Sequence, residues 1–137
     1  MTDRRVAVVH PPLTVARDFI DYPYHADLGA VQLAAVLAAG GDAVTLIDAF
    51  ALPGAGLTWR DDGRAHLGAA VAAVVAAVPA AVDAIVVAYT PFHRPPHRDD
   101  VLGPLLAALA GRAPIVLADC YQSGQHYVEV AGEQVHA

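Results

Sequence analysis

The segment Val6-Ala7-Val8-Val9-His10-Pro11-Pro12 decides the fold class, because a short, continuously apolar run ends in a polar residue and two prolines. Short apolar runs rich in β-branched residues are typical of strands that are buried on both faces of a parallel sheet. The sequence therefore predicts a first strand over Val6–Val9. Three further runs of the same character predict three more strands: Ala43–Ile47, Ala84–Ala88 and Pro114–Leu117.

Helical segments separate the four predicted strands, at Leu28–Ala39, Ala65–Val78 and Asp100–Ala110. Gly40 and Gly41 end the first helix where a left-handed C-cap is expected, and Pro79 ends the second. Asp99 or Asp100 can N-cap the third. The alternation of strands and helices predicts an α/β domain with a doubly wound parallel sheet. Within that class we expect a flavodoxin-like (Rossmann-like) sheet with the strand order 2-1-3-4.

The length of 137 residues fits a single domain, residues 1–137. After the fourth strand, Tyr127–Val130 and Gln134–His136 are too short to predict a fifth βα unit. A flavodoxin-like sheet usually has about five strands. We therefore expect a possible fifth strand to be incomplete, and the chain to be an N-terminal fragment whose downstream domain covers what is left open.

Composition excludes several classes of function. The net charge of −6 gives no basic stripe for nucleic acid. Lysine is absent, which excludes a P-loop lysine and a lysine Schiff base. The single Cys120 excludes a disulfide framework and a cysteine-only zinc or iron–sulfur site. The most apolar stretch, Leu67–Ala88, is interrupted by Pro79 and Asp83, so no membrane span is expected. We expect a cytoplasmic protein that binds neither nucleic acid nor membrane.

In doubly wound folds, ligands bind beyond the carboxyl ends of the strands, where the strand order reverses. Here that point lies between the first and third predicted strands. His10 leaves the first strand, and three residues at the end of the third join it as expected ligand contacts: Tyr89, Thr90 and Phe92. The connection from His10 to Asp27 is much longer than the usual two to six residues or so, and it carries aromatic and titratable side chains, including Tyr24. We expect Tyr24 to contact the ligand as well.

Other functional patterns are weaker. The position after the first strand lacks the G-x-G-x-x-G of a dinucleotide site, and Gly54-x-Gly56 predicts only a turn. His93 and His97 are separated by two prolines, which prevent a helix from aligning them as metal ligands, so no metal site is expected. Asp119 ends the fourth strand, where its carboxylate can contact a ligand or cap the next turn.

The pattern of these residues resembles a known family. The stretch Val6–Pro12, a long loop, Asp27-Leu28-Gly29, and then a second strand ending in Asp48 are similar to the start of a cobalamin-binding domain. The likeness is greatest to the cobalamin (B12)-binding domains of B12-dependent radical SAM proteins. Val82–Thr90 resembles the third strand of that family, whose end carries a serine or threonine near the corrin.

The resemblance implies a cobalamin-binding module with His10, Tyr24, Tyr89, Thr90, Phe92 and Asp119 as cofactor contacts and no catalytic residue of its own. Radical chemistry, such as methyl transfer, would belong to a downstream radical SAM domain with an iron–sulfur cluster and S-adenosylmethionine. The sequence departs from the family in two respects. The cobalt-ligating Asp-x-His-x-x-Gly motif is absent, and Ala118-Asp119-Cys120 stands where the fourth strand normally ends in Gly-Gly.

Two alternatives remain open. The chain can be a degenerate copy of the B12-binding-like domain that binds no cofactor and has a docking or substrate-shaping role. It can also be a small flavodoxin-like hydrolase or transferase that uses His10, Asp119 and His126.

Overall fold

The computed structural model describes residues 3–19, 27–95 and 97–120. In chain order, its strands and helices are β1 (Arg5–His10), β2 (Leu13–Ala16), α1 (Leu28–Ala39), β3 (Ala43–Asp48), β4 (Leu57–Trp59), β5 (Arg64–Leu67), α2 (Val71–Ala77), β6 (Ala84–Tyr89), α3 (Leu102–Leu109) and β7 (Ile115–Asp119). A short 3-10 turn, Pro91–His93, follows β6. The expected fifth-strand segments, Tyr127–Val130 and Gln134–His136, lie outside the described residues.

The main sheet is parallel and has the order β3-β1-β6-β7. These four strands are the four predicted from the sequence, so the predicted order 2-1-3-4 and the flavodoxin-like α/β class are confirmed. The apolar runs form a parallel sheet because both of its faces are covered. In β1, Val6 and Val8 pack with Ala34 of α1 on one face, whereas Ala7 and Val9 pack with residues of α2 and α3 on the other.

The first helix has the predicted bounds, whereas α3 begins two residues later than the predicted start at Asp100. The Asp27 carboxylate accepts a hydrogen bond from the backbone N–H of Gly29 and caps α1, and Gly41 beyond its end has a φ of 98°. At α3 the N-cap position is Val101, so neither Asp99 nor Asp100 is the N-cap as predicted, although the Asp99 carboxylate accepts hydrogen bonds from the backbone N–H groups of Val101 and Leu102. Among the described residues, no helix has the length and apolar character needed to cross a membrane.

The second predicted helix, Ala65–Val78, is wrong in its first part. Arg64–Leu67 is strand β5, and α2 begins only at Val71. β5 pairs antiparallel with β2 on one side and with β4 on the other, which gives a second, three-stranded sheet in the order β2-β5-β4. The sequence analysis did not predict this small sheet, because strands of three or four residues are too short to show a period of two.

The side chain of Arg112 forms hydrogen bonds with the carboxyl end of α2. The guanidinium of Arg112 donates to the carbonyl oxygens of Val75 and Val78, each at 2.9 Å. We expect Arg112→Met to lower the free energy of unfolding by about 2 kcal/mol, because hydrogen bonds from a charged donor are lost at partly buried carbonyls. Urea denaturation followed by circular dichroism measures this. The control is Arg98→Met at an exposed position, expected to change stability by less than about 0.5 kcal/mol. An equal loss of unfolding free energy in the two variants would show that the hydrogen bonds of Arg112 do not stabilise α2.

Candidate functional site

The carboxyl ends of β1 and β6 lie side by side at the point where the strand order reverses. The two strands pair in register up to Val9 and Val87, and His10 and Thr90 follow close to these positions. On the other side of β1, His10 lies opposite Asp48 at the end of β3. The fold therefore brings His10, Thr90 and Asp48 to one edge of the sheet, as the switch-point topology requires.

His10 is buried without a partner for one of its ring nitrogens. Its residue exposure is 2%, its ring lies 5.3 Å from that of Phe50, and its Nδ1 atom has no hydrogen-bond partner in the described part of the protein. Burial lowers the pKa of His10 to about 4, although the neighbouring Asp48 carboxylate opposes this shift. The imidazole is therefore neutral at physiological pH, with an unsatisfied polar atom at the edge of the sheet.

Thr90 is buried as well, but its polar groups are satisfied within the protein. Its hydroxyl accepts a hydrogen bond from the backbone N–H of Phe92, and its own backbone N–H donates to Nδ1 of His93 at 3.0 Å. Thr90 and His93 together cap the Pro91–His93 turn at its N-terminus. The other ring nitrogen of His93, Nε2, lies 2.8 Å from the carbonyl oxygen of Pro12.

We call the hydrogen-bonded group formed by Pro12, Thr90 and His93 the His93 latch. The latch joins the segment that leaves β1 to the segment that leaves β6, directly above the switch point. The sequence analysis had weighed His93 only as a metal ligand and did not predict this role. A usable signal was present, because a threonine three residues before a hydrogen-bonding side chain, with proline between them, is typical of a capped helical turn.

Two of the three aromatic residues expected to contact a ligand lie in the interior. Tyr89 and Phe92 are both buried. Phe92 belongs to the apolar cluster beneath the small sheet and meets the ring of Phe19 edge-on, with 5.5 Å between the centroids. Tyr24 lies outside the described residues.

Asp119 lies at the same edge of the sheet and is accessible. It is in register with Tyr89, its side chain is 26% exposed, and its carboxylate lies 3.5 Å from the guanidinium of Arg94. Burial raises the pKa of Cys120, and the charges of Asp119 and Asp27 raise it further. The thiol of Cys120 is therefore protonated and unreactive at neutral pH.

The small sheet is fixed over this edge by a network of charges. The hydroxyl of Thr14 in β2 donates to one oxygen of Asp100 at 2.8 Å, and the other oxygen accepts from Arg60 and Arg64. Arg64 also donates to the carbonyl oxygen of Arg98 at 2.7 Å. β2 is thereby tied to the segment before α3, so the connection after β1 is not an open loop in its described part.

Within the described residues, no group of three or more His, Cys, Asp and Glu side chains is placed to hold a metal ion. No protein-family model, no curated protein and no solved structure matches the chain. The residues at the carboxyl edge are therefore the basis on which a function is assigned.

Proposed function

We propose that the chain is a cobalamin-binding module that holds its ligand beyond the carboxyl ends of β1 and β6. The observation that carries this proposal is the Nδ1 atom of His10, which is buried at the switch point and has no hydrogen-bond partner among the described residues. A buried polar atom without a partner costs about 1–3 kcal/mol. A ligand that offers this atom a hydrogen bond would offset that cost. Such an atom is rarely retained in a region that only has to pack.

The described residues fit a corrin in part. A corrin is a broad, mostly apolar disc with amide groups around its rim, and an amide can donate to or accept from the neutral imidazole of His10. Asp119 is accessible at the same edge for a second polar contact. Thr90 has less hydrogen-bonding capacity left for a ligand. Its hydroxyl already accepts from the N–H of Phe92, and its own N–H already donates to His93. We therefore assign the ligand contacts among the described residues to His10 and Asp119.

The reaction itself would belong to another domain. One cysteine cannot supply the thiolates of an iron–sulfur cluster. We propose that a downstream radical SAM domain supplies the cluster and S-adenosylmethionine, and that this module presents the corrinoid to it.

A second candidate function is a docking or substrate-shaping module without a cofactor. It is favoured by the His93 latch, which closes the switch point with bonds between the protein's own groups. The hydrolase or transferase alternative has less support. In the described part of the chain the only ion pair of Asp119 is with Arg94, and Nδ1 of His10 has no partner, so no base–orienter pair is formed. His126 lies outside the described residues.

The experiment that separates the candidates is a titration of the purified chain with hydroxocobalamin. Binding is read from the visible spectrum and from co-elution of the corrinoid with the protein in size-exclusion chromatography. We expect binding by the parent chain and a loss of about tenfold in affinity for His10→Phe, the usual effect of one hydrogen bond. His66→Gln, which changes a histidine of the small sheet, is the matched control and should bind like the parent. No binding by the parent chain would overturn the proposal and favour the docking module.

Asp119 provides a second, independent test of the same site. We expect Asp119→Gly to weaken cobalamin binding by tenfold or more, because a hydrogen bond to a carboxylate is worth about 1.5–3 kcal/mol. The measurement is the same spectral titration, with Asp83→Gly as a control at an exposed carboxylate before β6. Tighter binding by Asp119→Gly would mean that the carboxylate obstructs the ligand, and the assignment of Asp119 as a contact would be wrong.

A further inference from the structure

The side of the main sheet that α1 covers carries most of the exposed large apolar side chains. In the described part of the chain there are seven such side chains, and five lie on this side: Leu28, Val31, Val36, Leu46 and Val116. The first three belong to α1. Leu46 is paired with Val8 in the sheet, and Val116 is paired with Val86. Since Val8 and Val86 both pack in the cluster with α1, Leu46 and Val116 share that face of the sheet.

The outward side of α1 is apolar, which is unusual for a surface helix. None of the twelve residues of α1 is charged, and its outward side is lined by exposed residues three or four apart: Leu28, Val31, Ala35 and Ala39. A helix that is apolar all round is typically buried. The exposed positions of α2 and α3 hold only alanine, glycine and proline, so large exposed side chains are particular to α1. We call the outward side of α1, with Leu46 and Val116 beside it, the α1 face.

The size of the α1 face fits a weak protein–protein interface. A helix of twelve residues is about 18 Å long and about 10–12 Å wide, so half of its surface is about 300 Å². With Leu46 and Val116 beside it, two copies of the face would bury about 800–1,000 Å² in total, which is below the standard interface size and in the range of weak, reversible contacts. An exposed apolar patch of this size marks an interaction site.

Charge favours a second copy of the chain as the occupant of this face. The chain has a net charge of −6, so two copies repel each other except where uncharged surfaces meet. α1 offers no charged group that could select a different, charged partner. A two-fold axis perpendicular to α1 would place the two helices antiparallel, with opposite ends of their dipoles side by side. Small residues such as Ala35 and Ala39 would let the two helices approach closely.

We propose that the chain forms a weak two-fold dimer in which the α1 face of one copy packs against the α1 face of the other. The dimer does not rest on the proposed function. The α1 face lies on one side of the sheet, whereas His10 and Asp119 lie at its carboxyl edge.

The test is the concentration dependence of the oligomeric state of the purified chain, without ligand. In sedimentation velocity between about 5 and 500 µM, the sedimentation coefficient should rise from that of one chain to that of two, with a Kd on the order of 10–100 µM. Amide spectra recorded by nuclear magnetic resonance over the same range should show shifts in α1 and at Val116, and none in α3.

Substitutions at Ala35, in the middle of the α1 face, test the two-fold contact. We expect Ala35→Glu to weaken association at least tenfold, because each copy would bring a carboxylate into the apolar interface near the axis. Ala107→Glu adds the same charge at an exposed position of α3 and should associate like the parent chain. Ala35→Arg should also be monomeric, whereas an equimolar mixture of Ala35→Glu and Ala35→Arg should associate again. Circular dichroism shows whether each variant is folded.

Four results would overturn the dimer. A chain that stays monomeric over the whole range would leave the α1 face to another occupant, such as residues 121–137 or a different protein. Association of Ala35→Glu with the parent's affinity would place the contact elsewhere, as would concentration-dependent shifts centred on Leu57 and Trp59 of β4. A mixture of the two Ala35 variants that does not associate would show that the two faces do not meet about a two-fold axis.

Discussion

Gly29→Ala is expected to destabilise the protein by about 3 kcal/mol or more, the upper range for inserting one methyl group into a packed site. A Cβ atom on Gly29 would lie 1.8 Å from the backbone carbonyl oxygen of Cys120 and 2.7 Å from the Asp27 carboxylate. A backbone oxygen cannot rotate away as a side chain can. The N-terminus of α1 or the chain after β7 must therefore shift.

Gly103→Ala is the matched control for this prediction. Gly29 and Gly103 are both the second residue of a helix, α1 and α3. Outside its own helical turn, no described residue lies within 4 Å of a Cβ atom placed on Gly103. Since alanine is the better helix former by up to about 1 kcal/mol, Gly103→Ala should leave stability unchanged or raise it. Thermal and urea unfolding measure both variants. A Gly29→Ala protein as stable as Gly103→Ala would show that α1 and Cys120 are not in close contact.

The same comparison explains what the sequence could and could not predict. The four main strands were predictable because each is a run of apolar residues that a sheet covered on both faces requires. The first helix was predictable because Gly40 and Gly41 follow its last turn, and the third because Asp99 lies just before its first turn. The contact of Gly29 with Cys120 joins residues that are distant in sequence, and no local pattern indicates it.

The candidate site, too, could be predicted only in part. The topology places His10 and Thr90 together, as predicted, because the carboxyl ends of neighbouring parallel strands meet at one edge. The partners of each side chain depend instead on contacts across the fold. The bond of His93 to Pro12 and the bond of Thr14 to Asp100 both span more than 80 residues of sequence. Sequence reasoning therefore located the edge but not the bonds that close it.

His10→Phe is expected to raise the stability of the protein at neutral pH by about 1–3 kcal/mol, the cost of leaving a buried polar atom without a partner. The phenyl ring can retain the contact that the imidazole makes with Phe50, and it removes the unsatisfied Nδ1 atom. Such a gain would mean that the natural residue is kept at the expense of stability, as is common at binding sites. Urea unfolding at pH 7 measures this difference, and a variant less stable than the parent would contradict it.

The gain should grow in acid, and the sign follows from proton binding. Below its ordinary pKa of about 6.5, His10 is protonated in the unfolded chain, whereas burial keeps it neutral in the folded protein down to a pKa of about 4. The unfolded state therefore binds more protons in this window, and the parent protein loses stability as the pH falls from 6.5 to 4. The contribution of His10 to this loss is about 3 kcal/mol, and His10→Phe should remove it. Urea unfolding of both proteins between pH 7 and pH 4 measures the difference. Parallel curves for the two proteins would show that His10 titrates normally and is not the buried, neutral group on which the binding site is proposed.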